Sequence, residues 1–209
     1  MLNFTFTNFV YRSMKRLTLI ALVLFCSTTI FCQQADLNQI NIERQSIDKT
    51  GFKVLTAYGL ANILYGSIAS HSATGSDKYF HKMNAIWNGV TLGIVGVTFL
   101  TAKKEGVLSY SNSLLKQNNT EKLFLFNAGL DIAYIAGGAY MKERSKTSTG
   151  NSDRLLGYGQ SIMLQGSALL LFDGIMYSIH NHHGRKLNKL AGNVQLASTD
   201  NGIAVILKL

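Results

Sequence analysis

The sequence predicts an all-α fold: a four-helix transmembrane bundle with an N-terminal signal segment and a short C-terminal β-hairpin. Three observations predict it. Only 15% of the 209 residues are charged against 47% apolar, where soluble domains carry about 25% charge. Four segments are long and nearly free of charge, close to the ~20 apolar residues that a crossing helix needs. The charges gather in the connectors between them. The absence of proline removes a common helix breaker, and the composition argues against disorder, a disulfide scaffold or a coiled coil.

Residues 1–32 read as a signal peptide. Met14-Lys15-Arg16 supplies a positive start, Leu17 to Phe31 an apolar run, and Gln33-Gln34-Ala35-Asp36 the polar exit, the three parts of a secretory signal. Met14 makes the more natural start, because it sets the charge beside the apolar run. Cleavage after Cys32 is the reading favoured here; acylation of Cys32 and an uncleaved anchor helix stay open. Cleavage removes both cysteines, Cys26 and Cys32, and with them any disulfide, thiolate metal site or cysteine nucleophile. Loss of Arg12, Lys15 and Arg16 lowers the net charge from +9 to +6. The remaining charge is spread through connectors, which suits lipid headgroups and excludes nucleic acid as the expected partner.

Residues 33–50 form a lead-in amphipathic helix. Asp36 and Gln39 make a capping-box pattern, and Leu37, Ile40 and Ile47 share a face. This helix lies on a membrane surface or against the bundle.

Residues 51–183 hold the four spans: Val54 to Ser76, Met83 to Ala102, Leu123 to Met141 and Leu155 to Ile179. Around Gly89 to Leu100 and Ala168 to Phe172 no polar face exists for water, which disfavours a soluble bundle. Asn118 with Glu121 reads as the cap of the third span. Gly89 and Gly93, and Gly129, Ala133 and Gly137, recur at four-residue spacing, as in helices whose backbones approach closely in lipid. Asn62 to Tyr65 echoes Asp131 to Tyr134, and Asn88-Gly89 echoes Gln165-Gly166, a pattern compatible with a duplicated helical hairpin. Residues 184–209 form a polar tail, in which Asn201-Gly202 between two apolar runs signals a hairpin turn.

The string Tyr79-Phe80-His81-Lys82-Met83-Asn84-Ala85-Ile86-Trp87-Asn88, with Phe126 to Asp131 and Leu171 to Tyr177, resembles the signature of an uncharacterised family, a domain of unknown function of small four-helix membrane proteins from Bacteroidota. The resemblance covers Gly51 to His180. It implies a fold and a location but no activity.

The candidate chemistry is polar groups inside the spans. A carboxylate at mid-helix in lipid costs ~2.5–3.5 kcal/mol on insertion scales and faces the bundle interior with a partner. Asp131 sits nine residues into its span and Asp173 nineteen into its own. Asn127, Asp131 and Tyr134 share one face; Gln165, Asp173 and His180 roughly share another, and Asn62, Asn84 and Asn88 add amides. These nine residues form the candidate buried polar site, read either as an ion or solute site or as hydrogen bonds that fix packing. His180, His182 and His183 are weak metal candidates: zinc needs three or four convergent ligands, and His71 and His81 fall toward the opposite end. No cofactor is expected. No G-x-S-x-G, H-E-x-x-H or P-loop is present, so an enzyme is the less favoured class.

Three functions stay in play: a structural or accessory membrane component, a small ion- or solute-coupled transporter using Asp131 and Asp173, and a membrane enzyme. A cavity at Asp131, or its absence, separates the first from the others. Expected partners are the lipid bilayer and a second copy or another membrane protein. A cleaved signal puts both termini on the periplasmic side of a bacterial inner membrane. Eleven basic residues would then lie outside against six inside, the reverse of the positive-inside preference; the signal is given more weight because the outer segments are longer.

Overall fold

The computed structural model describes the backbone of residues 2–101, 105–192, 194–199 and 202–207, and the side chains of residues 35–101 and 105–190. The expected signal segment, with Cys26 and Cys32, falls outside the described side chains. Four helices build the fold: α1 Leu2–Ser72, α2 Gly75–Thr101, α3 Tyr110–Ser145 and α4 Ser152–Gly192. At the C-terminal end, strands β1 Val194–Thr199 and β2 Gly202–Leu207 pair antiparallel, Val194 opposite Leu207. Asn201, the expected turn residue, lies outside the described residues.

Among the described residues, three helices are long and apolar enough to cross a membrane: α2, α3 and the part of α4 up to Leu190. The stretch 54–72 of α1, expected as the first span, is not one of them. Tyr58, Asn62, Tyr65, Ser67, Ser70 and His71 dilute its apolar character.

Two boundaries differ from expectation. The lead-in segment is not a separate helix, because no glycine or proline interrupts residues 33–50 and α1 runs on unbroken. Its face docks on the bundle: Leu37 and Ile40 are buried with Leu187 of α4, flanked by Tyr110 and Leu190. Helix α3 begins well before Asn118. Ser109 is its N-cap, with the hydroxyl accepting from the Asn112 amide, the bond that satisfies an otherwise orphaned donor in a helix's first turn. Asn118 lies exposed within the helix, and Glu121 is engaged by Gln117 instead.

The helices form two antiparallel hairpins, α1–α2 and α3–α4, joined mainly where α2 packs on α4; α1 also reaches α4, while α2 and α3 do not meet along their backbones. Close approach comes from glycines other than the expected ones. A Cβ on Gly138 would stand 2.6 Å from the carbonyl oxygen of Gly159, and one on Gly159 2.6 Å from that of Gly138. Gly157 in the same way meets the backbone of Ser76 and Phe80, and Gly66 that of His81. Around Gly89, Gly93, Gly129 and Gly137 there is open space. Four-residue spacing guarantees only that two glycines share a face, and here that face turns outward.

Exposure is inverted relative to a water-soluble bundle. Among the described residues, thirteen polar or charged side chains are buried against five large apolar ones, and twenty-five large apolar side chains are exposed. The outward stripe of α2 (Ile86, Val90, Ile94, Val97) and that of α4 (Leu164, Leu171, Ile175, Ile179) recur every three, four or seven residues, the helical repeat of one face.

The glycine contacts give a direct expectation. Gly157→Ala places a methyl against backbone atoms that cannot swing aside and should destabilise by about 1–3 kcal/mol, as overpacking does. Gly89→Ala enters open space and should be neutral or slightly stabilising through helix propensity. Unfolding curves of the two purified variants compare them; equal effects would contradict the assignment of the interface.

Candidate functional site

The buried polar residues on α4 fall on one stripe: Ser161, Gln165, Asp173, His180 and His183, spaced by four, eight, seven and three. The stripe passes through three levels of the bundle, and the nine candidate residues divide among them.

At the first level, Asn84 of α2 is 2% exposed. Its Oδ1 accepts from Ser161 Oγ and from Gln165 Nε2, both at 2.8 Å. The Tyr58 hydroxyl of α1 donates to Gln165 Oε1 at 3.1 Å. Three helices are thereby tied through one amide pair. Asn88 is buried one turn on, and its Nδ2 donates to the Asn84 carbonyl. Asn62, half-buried, donates to the carbonyl of Tyr58 in its own helix. Tyr58 and Ser161 were missed in the sequence, where nothing marks which hydroxyl a distant amide meets.

At the second level Asp131 and Asp173 come together, both lining one cavity and each close enough to feel the other's charge. Helix geometry explains the meeting. Cα–Cβ bonds tilt toward each helix's N-terminus, so in antiparallel helices the two side chains lean toward each other. The backbone of Asp131 lies opposite Gly166, two turns from Asp173, and the tilts close the offset. Asp131 is 3% exposed, and its Oδ2 has no hydrogen-bond partner.

The pair faces a cavity of about 760 Å³ between the two hairpins. Asn127 and Tyr134, both predicted, line it, with Asp48 of α1 and many apolar residues of α2. The Trp87 and Tyr134 rings meet edge to face at 4.8 Å across the gap between α2 and α3. Ile86, Val90, Ile94, Leu123 and Leu130 line the cavity and are also exposed, so it opens sideways between those helices. Asp48 and Trp87 were not among the predicted site residues; Asp48 lies in the lead-in segment, and a tryptophan within an apolar run carries no sign of the cavity.

At the third level His180 is fully buried, its Nε2 3.1 Å from Asp48 Oδ1 and its ring stacked on Phe124. Gln117 Nε2 donates to the His180 carbonyl at 2.6 Å, and Gln117 Oε1 stands 3.4 Å from His183 Nδ1. His183 Nε2 is 3.4 Å from Glu43. Beside them Arg44, 5% exposed, pairs with Glu105 and Asp48, and Glu105 also takes Lys116. His182 is exposed. Successive helical residues point about 100° apart, so His182 turns away from the face that His180 and His183 share. Among the described residues no three His, Cys, Asp or Glu side chains are placed to hold one metal ion. His81 packs against Tyr65, at the end near the α1–α2 turn.

A family model described as a family of unknown function, DUF6992, matches residues 54–174. Neither curated proteins nor solved structures give a match. The matched region takes in the amide network and the carboxylate pair but not His180.

Asn84→Leu should cost about 1–3 kcal/mol, because it strands two buried donors, each worth roughly 0.5–1.5 kcal/mol; chemical unfolding of the variant checks this. At the third level Lys186 donates to Glu43 at 2.5 Å and holds its carboxyl below the usual glutamate range. A pKa lowered by folding stabilises fully above that range, and the contribution fades as pH falls through the folded value. Melting temperatures across about pH 3 to 6 should therefore drop less steeply in Glu43→Gln than in the parent.

Proposed function

Because the chain belongs to the DUF6992 family of unknown function, whose description assigns no activity, we propose from the structure itself that it is an integral membrane protein with a solute- or ion-binding site at Asp131 and Asp173. The observation that carries the reading is the inverted exposure joined to the cavity. The twenty-five large apolar side chains exposed among the described residues would, in water, form patches far beyond what soluble monomers tolerate, whereas hydrocarbon suits them. The buried amides, carboxylates and histidines then face the bundle interior, as polar groups in lipid do.

The cavity favours the solute- or ion-coupled reading over a purely structural one. In the amide network Tyr58, Asn84, Ser161 and Gln165 satisfy one another across α1, α2 and α4. At Asp131 and Asp173 two acceptors stand beside open volume, in a lining that holds no lysine, arginine or histidine. Two like charges held close in a low dielectric require a compensating positive charge, a proton or a bound cation. A structural or accessory role remains the reading for the amide network alone. The proposal extends to the family the membrane character and Bacteroidota setting that the resemblance implied. Residues 51–72 of α1 act as a fourth crossing beside α2, and both termini lie on the periplasmic side of the inner membrane.

Two measurements test this. The protein should stay with membranes through an alkaline carbonate wash and leave them in detergent; release by carbonate alone overturns the membrane reading. Dicyclohexylcarbodiimide, an apolar reagent for protonated carboxyls, should label Asp131 or Asp173 in intact membranes, and Asp131→Asn with Asp173→Asn should abolish the label. Labelling confined to connector carboxylates would overturn the site.

A further inference from the structure

We propose that the cavity binds a lipophilic organic cation: a single positive charge carried within an aromatic or alkyl body. The proposal rests on the preceding reading of the site and names its ligand class.

Charge comes first. The lining holds three acidic residues, Asp48, Asp131 and Asp173, and no lysine, arginine or histidine. Asp131 is 97% buried, and its Oδ2 is without a hydrogen-bond partner among the described residues. A buried acceptor of this kind costs free energy until a donor or cation reaches it. A neutral apolar ligand would leave that cost in place.

The rest of the wall decides which cation. A small hydrated ion needs six or so oxygens to replace its shell. Apart from the carboxylates, the lining offers the side-chain oxygens of Thr91, Thr98, Asn127 and Tyr134, scattered over two helices, and is otherwise apolar. An organic cation holds its water loosely and loses little on entering such a wall. Five aromatic rings line the same space, Phe52, Trp87, Phe124, Tyr134 and Phe172. Ring faces attract a desolvated cation, the basis of quaternary-ammonium recognition. The volume of about 760 Å³ falls within the ~300–1,000 Å³ of small-molecule sites.

Access fits the same class. The cavity opens between α2 and α3 through Ile86, Val90, Ile94, Leu123 and Leu130, a doorway that an amphiphile in hydrocarbon can use and a hydrated ion cannot. On binding, the cation takes the place of the proton that balances the carboxylates. The titratable groups facing the cavity are Asp48 from α1, Asp131 and Tyr134 from α3 and Asp173 from α4; α2 contributes none. His180 stands behind Asp48. Acid therefore opposes binding.

The full-length protein in phosphatidylcholine nanodiscs, titrated with tetraphenylphosphonium, tests the proposal. Saturable binding is expected, weakening by about tenfold or more between about pH 8 and pH 5 as protons compete. Tetraphenylborate, of the same shape and opposite charge, should not displace the phosphonium. Asp131→Asn and Asp173→Asn should each weaken binding about tenfold or more. Should either variant fail to fold, the charge comparison and the pH dependence on the parent protein decide alone. Absence of saturable phosphonium binding, or equal competition by the borate, overturns the ligand class. If the carbodiimide labels the pair while the phosphonium does not bind, the site stands and only the cation assignment falls; if neither occurs, both fall.

Discussion

The bundle turns on one constraint: each polar side chain on the buried stripe of α4 must find its partner on another helix. Gln165 meets Asn84 of α2 and Tyr58 of α1, Asp173 meets Asp131 of α3, and His180 faces Asp48 of α1. Each pairing has a length and a direction, so together they fix the height of α1, α2 and α3 against α4. Apolar contacts could not do this alone, because a leucine can slide past a leucine at little cost. A one-residue slip of α2 would swing Asn84 about 100° away and strand Ser161 and Gln165. The polar interior supplies register.

The glycines supply what the polar groups cannot. With only Leu37, Ile40, Val95, Met176 and Leu187 as large buried apolar residues, the described interior holds little conventional core. Attraction has to come from dispersion between closely apposed backbones, and that requires the Cβ-free positions at Gly138, Gly157, Gly159 and Gly66. In the proposed membrane setting the same division is expected, since lipid tails compete equally for apolar side chains and leave close packing and hydrogen bonds to hold helices together. The ion pairs of Arg44, Glu105, Lys116, Glu43 and Lys186 gather at one end, where water would be at hand.

Much of this was legible in the sequence, and the limit is a physical one. Helix length and charge placement mark α2 to α4, and the shared faces of Asn127, Asp131 and Tyr134 and of Gln165, Asp173 and His180 are readable from spacing within one helix. Periodicity describes a helix in isolation. It does not say which way a face turns, and so the Gly89–Gly93 pair, on a real common face, points outward. Nor does it say what lies opposite. Tyr58, Ser161, Gln117 and Asp48 are ordinary polar residues until another helix brings them an amide or a ring. The start of α3 escaped for a similar reason: Asn118 with Glu121 has the right spacing for a cap, and Ser109 is the residue whose hydroxyl has a free amide to bind.

The cavity is best understood as a product of the hairpin arrangement rather than as imperfect packing. Close glycine contacts hold α2 to α1 and α3 to α4, and Gly157 joins the hairpins at one end. Beyond that joint, α2 and α3 do not pack backbone to backbone among the described residues, and the Trp87 and Tyr134 rings meet across the gap. Protein interiors close voids larger than a water molecule, and larger side chains at positions 91, 127 or 131 would fill this one. Instead the sequence places threonine, asparagine and aspartate there, in a wall that is otherwise mostly apolar. Sealing would call for bulk and for amides of the kind that satisfy Asn84. Carboxylates set against an open apolar space call for something to enter it, and that difference separates the second level of the bundle from the first.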